Sequence, residues 1–154
     1  MTSSIILNID LTDLKLGNRV KIIQPANLYN CTLGDDVFVG PFVEIQSNVL
    51  IGARTKVQSH SFICSLVSIG SDCFIGHGVM FVNDVFSSGS PANGDKSKWK
   101  ETFIGNNVYI GSNASIMPVK ICDDVVIGAG AVVTKNIQKS GVYIGNPAKF
   151  ARPL

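Results

Sequence analysis

The sequence predicts an all-β chain, a left-handed parallel β-helix of hexapeptide repeats with one long external loop, and three observations carry that prediction. Counting in sixes from Leu33 gives Val39, Ile45, Ile51, Val57, Ile63, Ile69, Ile75 and Phe81, nine large apolar residues in one phase. Four places after each stands a small or β-branched residue: Val37, Val43, Val49, Thr55, Ser61, Val67, Cys73, Val79 and Val85. Glycine follows an aliphatic residue again and again, as in Leu16-Gly17, Leu33-Gly34, Val39-Gly40, Ile51-Gly52, Ile69-Gly70, Ile75-Gly76, Ile104-Gly105, Ile110-Gly111 and Ile127-Gly128. A helical period of 3.6 is absent, and β-branched side chains disfavour helix in any case.

Each hexad reads as one short strand plus a corner, and three hexads close a triangular coil. The large residue fills the interior and the small one the tapering corner, while Gly, Asn or Asp accommodates the backbone of the turn. Coils stack at ordinary strand spacing, roughly 4.8 Å, which places residues 18 apart above one another. The register slips by one between Leu28 and Leu33 and again between Ile116 and Ile121, after which Ile127 and Val133 resume it. The long interruption, residues 86–103 with the loop proper at about 87–103, is rich in Ser, Gly, Pro and Asn and carries Trp99. It must leave the coil, and loops of that length are usually functional, although a tolerated insertion is the plainer alternative. The whole chain, 1–154, reads as one domain ending in a C-terminal tail at about 138–154.

With 45% apolar and 16% charged residues the chain can bury a sizeable core. A formal charge of +2 without a basic stripe points away from nucleic acid as a partner. No apolar run reaches the 18 or so residues of a membrane span, and residues 1–10 lack a basic segment and a small-residue cleavage site. Cys31, Cys64, Cys73 and Cys122 form no CxxC pair, so they read as reduced core or near-core thiols of a cytoplasmic protein, with no metal.

Several segments resemble the hexapeptide-repeat acyltransferases over nearly the whole chain. They are Phe38-Val39-Gly40-Pro41-Phe42-Val43-Glu44-Ile45-Gln46, Ser59-His60-Ser61-Phe62-Ile63-Cys64, Phe74-Ile75-Gly76-His77-Gly78-Val79-Met80-Phe81-Val82-Asn83-Asp84, Ile110-Gly111-Ser112-Asn113-Ala114, Ile127-Gly128-Ala129-Gly130-Ala131-Val132-Val133-Thr134-Lys135 and Gly145-Asn146-Pro147-Ala148. The middle ones are similar to sugar-nucleotide 3-N-acetyltransferases of bacterial surface-polysaccharide (O-antigen) synthesis that act on UDP-2-acetamido-3-amino-2,3-dideoxyglucuronate. Ser90-Pro91-Ala92 leans toward that branch over the dTDP-3-amino-3,6-dideoxyhexose enzymes. The resemblance implies a homotrimer with a site between neighbouring subunits. Acetyl-CoA would lie along the C-terminal coils (Gly76, Gly111, Ser112, Ala129, Lys135, Pro147, Lys149) and the nucleotide sugar nearer the N-terminal ones (Glu44, Gln46, Arg54, Lys56, Phe62, Ser65). Where some relatives place Glu after the Cys64 position, this chain has Ser65, which could not serve the same role.

The stacking adds its own argument. Asn83 falls above Ser65 and Ser47, and His77 above Ser59 with Gly78 above His60, so the two histidines share a corner. The next corner presents Asn83 and Asp84 where the loop departs, a plausible seat for a substrate. An amino-sugar amine with pKa near about 8 is partly neutral at pH 7, so positioning matters more than a strong base. Asn83 and Asp84 therefore read as orienters of the amine, with the departing coenzyme A thiolate taking the proton, as the resemblance suggests. A corner N–H, at Gly76 or Gly111, reads as the oxyanion donor.

His60 stays open among catalytic base, since imidazole titrates near about 6.5, substrate contact and structural residue. His77 reads as structural or interfacial. Asp84 and Asn83 could instead merely shape the turn. Lys135 is a point-charge partner for phosphate or an ordinary solvated lysine, Lys149 and Arg152 form a second basic set, and Arg54 and Lys56 could meet a diphosphate or uronate. Rival readings are a γ-type carbonic anhydrase, which wants three histidine ligands where the chain has two, and a non-catalytic scaffold.

Overall fold

The strands of successive hexads sort into three sheets, which form the faces of a triangular prism in the computed structural model, described over residues 11–154. Face A stacks Leu11–Thr12, Asn27–Tyr29, Glu44–Ile45, Phe62–Ile63, Met80–Phe81, Ser115–Ile116 and Val132–Val133. Face B stacks Lys15–Leu16, Thr32–Leu33, Leu50–Ile51, Val67–Ile69, Thr102–Ile104 and Lys120–Ile121. Face C stacks Lys21–Ile22, Phe38–Val39, Lys56–Val57, Phe74–Ile75, Val108–Ile110, Val125–Ile127 and Gly141–Ile144 in parallel, with Lys149–Arg152 added antiparallel. This is the expected left-handed parallel β-helix. The described residues contain no α-helix, only a 3₁₀ turn at Lys96–Lys98.

The interior follows the two columns. All nine large residues from Leu33 to Phe81 are buried, and so are the small partners from Val37 to Val79. Two buried hydroxyls in the small column are satisfied across coils: Thr55 Oγ1 donates to Gly70 O and Ser61 Oγ to Gly76 O, each at 2.8 Å. Val85 departs from the column. It is 38% exposed because the chain has already left the coil. Burial pushes the thiols of Cys31 and Cys64 up to about 11 and about 12, and all four cysteines are free.

The coils are not all 18 residues long. Glu44 pairs with Phe62 and Phe62 with Met80, but Asn27 pairs with Glu44 and Phe103 with Lys120, a step of 17. Interior residues stand six apart around the B–C edge (Leu33 to Val39) and the C–A edge (Val39 to Ile45) throughout. Only the A–B edge varies: five from Leu28 to Leu33 and from Ile116 to Ile121, six from Ile45 to Ile51, and the whole loop between Phe81 and Ile104. One edge of the prism thus absorbs every insertion and deletion.

One boundary differs from the expectation. The loop ends at 101, because Thr102 and Phe103 already belong to a strand of face B. The C-terminal stretch is ordered: Gly141–Ile144 extends face C, and the turn after it caps face A, with Val132 N–H donating to Gly145 O and Ala148 N–H to Val132 O. No helix among the described residues is long and apolar enough to cross a membrane. Residues 1–10 and what was expected of them lie outside the described residues.

Candidate active site

The variable A–B edge is where polar side chains meet the loop. Asn83 Nδ2 donates to Ser65 O one coil below at 3.1 Å, and Asn83 O accepts the N–H of Lys100 at 2.9 Å, which closes the base of the loop. Thr102 N–H donates to Leu66 O, so both ends of the loop hang on the Ser65–Leu66 corner. That corner places Leu66 at φ 72, a left-handed conformation costly for a branched side chain. Asn30 and Asn48, the corner residues of the coils below, hold the same conformation with little penalty.

Below Ser65 the polar set continues. Ser65 N–H donates to Gln46 Oε1 at 3.2 Å, and Gln46 Nε2 donates to Glu44 Oε1 at 2.9 Å. Tyr29 completes it. Burial and then the Glu44 charge push its phenol up, while a hydrogen bond from Gln46 pulls it back. Glu44, Gln46, Ser65 and Asn83 therefore come together, with Phe62 and Met80 facing outward beside them on face A.

Asp84 is committed elsewhere. Its Oδ1 accepts the N–H of Phe86 at 3.0 Å and its Oδ2 that of Ala92 at 2.7 Å, so the carboxylate shapes the loop instead of pointing at a ligand. Among the described residues Asn83 Oδ1 accepts no hydrogen bond.

The remaining candidates fall elsewhere on the prism. His60 lies on the C–A edge, the opposite edge of face A from Asn83, stacked on Phe42 with ring centroids 4.9 Å apart. His77 shares a 2.8 Å hydrogen bond with Ser59 on the same edge. Gly76, Gly111, Ser112 and Ala129 continue that edge upward. The oxyanion role expected of Gly76 and Gly111 does not hold: their N–H groups donate to Ile110 O and Ile127 O, both at 2.8 Å. Their lack of a side chain has a packing cause, since a Cβ on Gly76 would meet Ile110 O at 2.7 Å. Lys135 is exposed on the A–B edge of the last coil, and Pro147 and Lys149 are exposed in the C-terminal cap.

Arg54 and Lys56 do not join the cluster. Arg54 makes a two-pronged ion pair with Asp72 at 2.7 Å on the B–C edge, which holds the Asp72 carboxyl low, and Lys56 projects from face C. Tyr29 is the member that an 18-residue count misses. Counting down from Gln46 lands on Leu28, whereas the 17-residue coil puts Tyr29 there.

Known proteins share this architecture. The family description "Bacterial transferase hexapeptide (six repeats)" matches residues 30–65, and "Hexapeptide repeat of succinyl-transferase" matches residues 102–135. The bifunctional protein GlmU of Streptococcus uberis is 33% identical over 88% of this chain and 31% of its own length, so the chain spans about a third of the curated relatives it matches. A galactoside acetyltransferase solved with coenzyme A is 32% identical, with a TM-score of 0.67 over 79% of this chain and 64% of that one. AntD, an N-acyltransferase from Bacillus cereus solved with dTDP and coenzyme A, shares the fold at TM-score 0.81 and 20% identity, over 91% of this chain and 84% of its own. Repeat columns, three parallel faces and these matches agree that the chain carries the hexapeptide repeats of the bacterial transferases it is similar to.

Proposed function

We propose that the chain is an acetyl-CoA-dependent N-acetyltransferase acting on a nucleotide-linked 3-amino sugar, as a cytoplasmic homotrimer serving surface-polysaccharide synthesis. The observation that carries the reading is Asn83, a carboxamide tethered to Ser65 with its Oδ1 unbonded, at the root of the long loop. Such an acceptor orients a neutral amine for attack on a thioester, and placing the nucleophile near about 3–3.5 Å from the carbonyl carbon supplies much of the acceleration. The new C–N bond forms as the C–S bond breaks, and the departing thiolate takes the amine proton. Asp84 then serves by fixing the loop and with it the closed shape of the site.

A homotrimer suits the same geometry. The Asn83 cluster and the His60–Ser112–Ala129 column flank opposite edges of face A, so a site using both takes one edge from each of two chains. Coenzyme A is supported by the galactoside acetyltransferase, which was solved with it.

The sugar has two readings. The resemblance favours a UDP-linked 2-acetamido-3-amino uronate. The structure gives weight to an uncharged dTDP-linked 3- or 4-amino dideoxyhexose, because Arg54 is taken by Asp72 and the outward residues beside Asn83 are Phe62 and Met80. Acetyl transfer measured over UDP- and dTDP-linked amino sugars tests both. Turnover of none of them, with no coenzyme A binding, would overturn the function itself.

A further inference from the structure

We infer that Gln46 is a positioning residue for the transfer step: it fixes the Ser65 backbone from below, and Ser65 in turn fixes Asn83. The inference rests on the reading that Asn83 orients the amine.

The chain of contacts is short and directional. Gln46 Nε2 donates to Glu44 Oε1, and Gln46 Oε1 accepts the N–H of Ser65. Ser65 O accepts from Asn83 Nδ2. With Nδ2 held, the free Oδ1 of Asn83 has one direction, and that direction is set by the Ser65–Leu66 peptide. This corner would not hold its shape by local preference alone, because Leu66 sits at φ 72, where Asn30 and Asn48 occupy the equivalent corners. Tertiary bonds must over-determine it. Three do so: Gln46 to the N–H of Ser65, Asn83 to Ser65 O, and Thr102 N–H to Leu66 O. Of these, only the Gln46 bond is independent of the loop and its roots.

Gln46 is suited to this because a carboxamide donates and accepts at once. Glu44 takes its donor side, and a flipped amide would set Oε1 against the Glu44 carboxylate and Nε2 against the Ser65 N–H, so Oε1 stays toward Ser65. Tyr29 packs against the same carboxamide.

The test is a pH-resolved kinetic comparison of the full-length enzyme with Gln46→Ala, Gln46→Glu and Asn83→Ala, using whichever amino-sugar nucleotide it turns over. Gln46→Ala should lower kcat roughly tenfold or more with a smaller change in KM, since it misplaces the reacting group without removing a substrate contact. Gln46→Glu sets two carboxyls side by side, and like charges at that distance keep one proton between them at low pH. The protonated pair can reproduce both bonds of the amide, and the fully ionised pair cannot. The ratio of Gln46→Glu activity to wild type should therefore be near one at about pH 5.5 and fall steadily toward about pH 8.5, while the Gln46→Ala ratio stays flat. A Gln46→Ala enzyme with unchanged kcat beside a crippled Asn83→Ala overturns the relay and leaves the role of Asn83 standing. A fully active Asn83→Ala overturns the underlying reading first, and the relay with it.

Discussion

The carboxylate of Asp84 accepts the backbone N–H of Ala92 at 2.7 Å, eight residues along the chain, and so draws the first half of the loop into a closed turn. Ala92 is buried as a result, while most of the loop around it is exposed. A charged acceptor serving two N–H groups is strong locally, about 1.5–3 kcal/mol for each such bond. Asp84→Ala should leave the thermal midpoint nearly unchanged, because the coils do not depend on the loop, yet open the loop to limited proteolysis and lower kcat/KM by roughly 10²-fold. Asp84→Asn keeps one acceptor oxygen and should fall between the two. Equal proteolysis of wild type and Asp84→Ala would remove this role.

Replacing residues 88–101 by a short Gly-Ser bridge tests the loop as a whole. The β-sheet signal in circular dichroism and the assembly state should persist, and acetyl transfer should collapse through lost closure over the substrate. Unchanged kcat/KM would make the loop a passive insertion.

His60 lies across face A from Asn83 and stacks on Phe42. A substrate contact there predicts that His60→Asn raises KM and leaves kcat within about tenfold, short of the 10²–10⁴-fold typical of a lost general base. An acid limb from protonation of the substrate amine should survive in the variant. Loss of turnover together with that limb, substrate still binding, would make His60 the base.

The interior is legible in the sequence because a period of six with large and small partners admits few other packings, and Leu33 through Phe81 fall where that period puts them. Asn83 over Ser65 follows from the same count and from an 18-residue coil. What the count cannot supply is the length of each corner. Tyr29 escapes it because the coil below Gln46 is one residue short, and Val85 is miscounted because the chain has already left the solenoid. Polar roles are less legible still. The Asp84 carboxylate, the Arg54 guanidinium and the N–H groups of Gly76 and Gly111 are each consumed by a partner that only the folded chain brings near.

Three of the thiols offer a pH test of the core. Cys31 and Cys64 are held in the thiol form up to about 11 and about 12 by burial, and burial pushes Cys73 up as well. A group favoured in its neutral form by folding stabilises the fold fully below its unfolded pKa and stops doing so as pH rises through its folded one. Stability should therefore decline from about pH 9 upward, with the unfolded chain releasing protons that the folded one keeps. Substituting Cys64→Ala should flatten that alkaline decline, measured as the thermal midpoint against pH. A decline of equal slope would assign it to other groups.

The two edges of face A give the assembly its most direct test. Let one variant carry the loop replacement, which spoils the A–B edge, and another carry Ser112→Trp, which obstructs the C–A edge. Each alone should be inactive as a homotrimer. If every site joins the A–B edge of one chain to the C–A edge of the next, co-refolding equal amounts creates sites in which both edges are intact. Random assembly restores about one quarter of wild-type sites, because each site needs a Ser112→Trp chain on one side and a loop-replaced chain on the other. A site built within one chain gains nothing from mixing. Activity near a quarter of wild type after co-refolding, and none when the separately folded variants are mixed without exchange, is the expected result, and absence of activity from the co-refolded sample would place the site within a single chain.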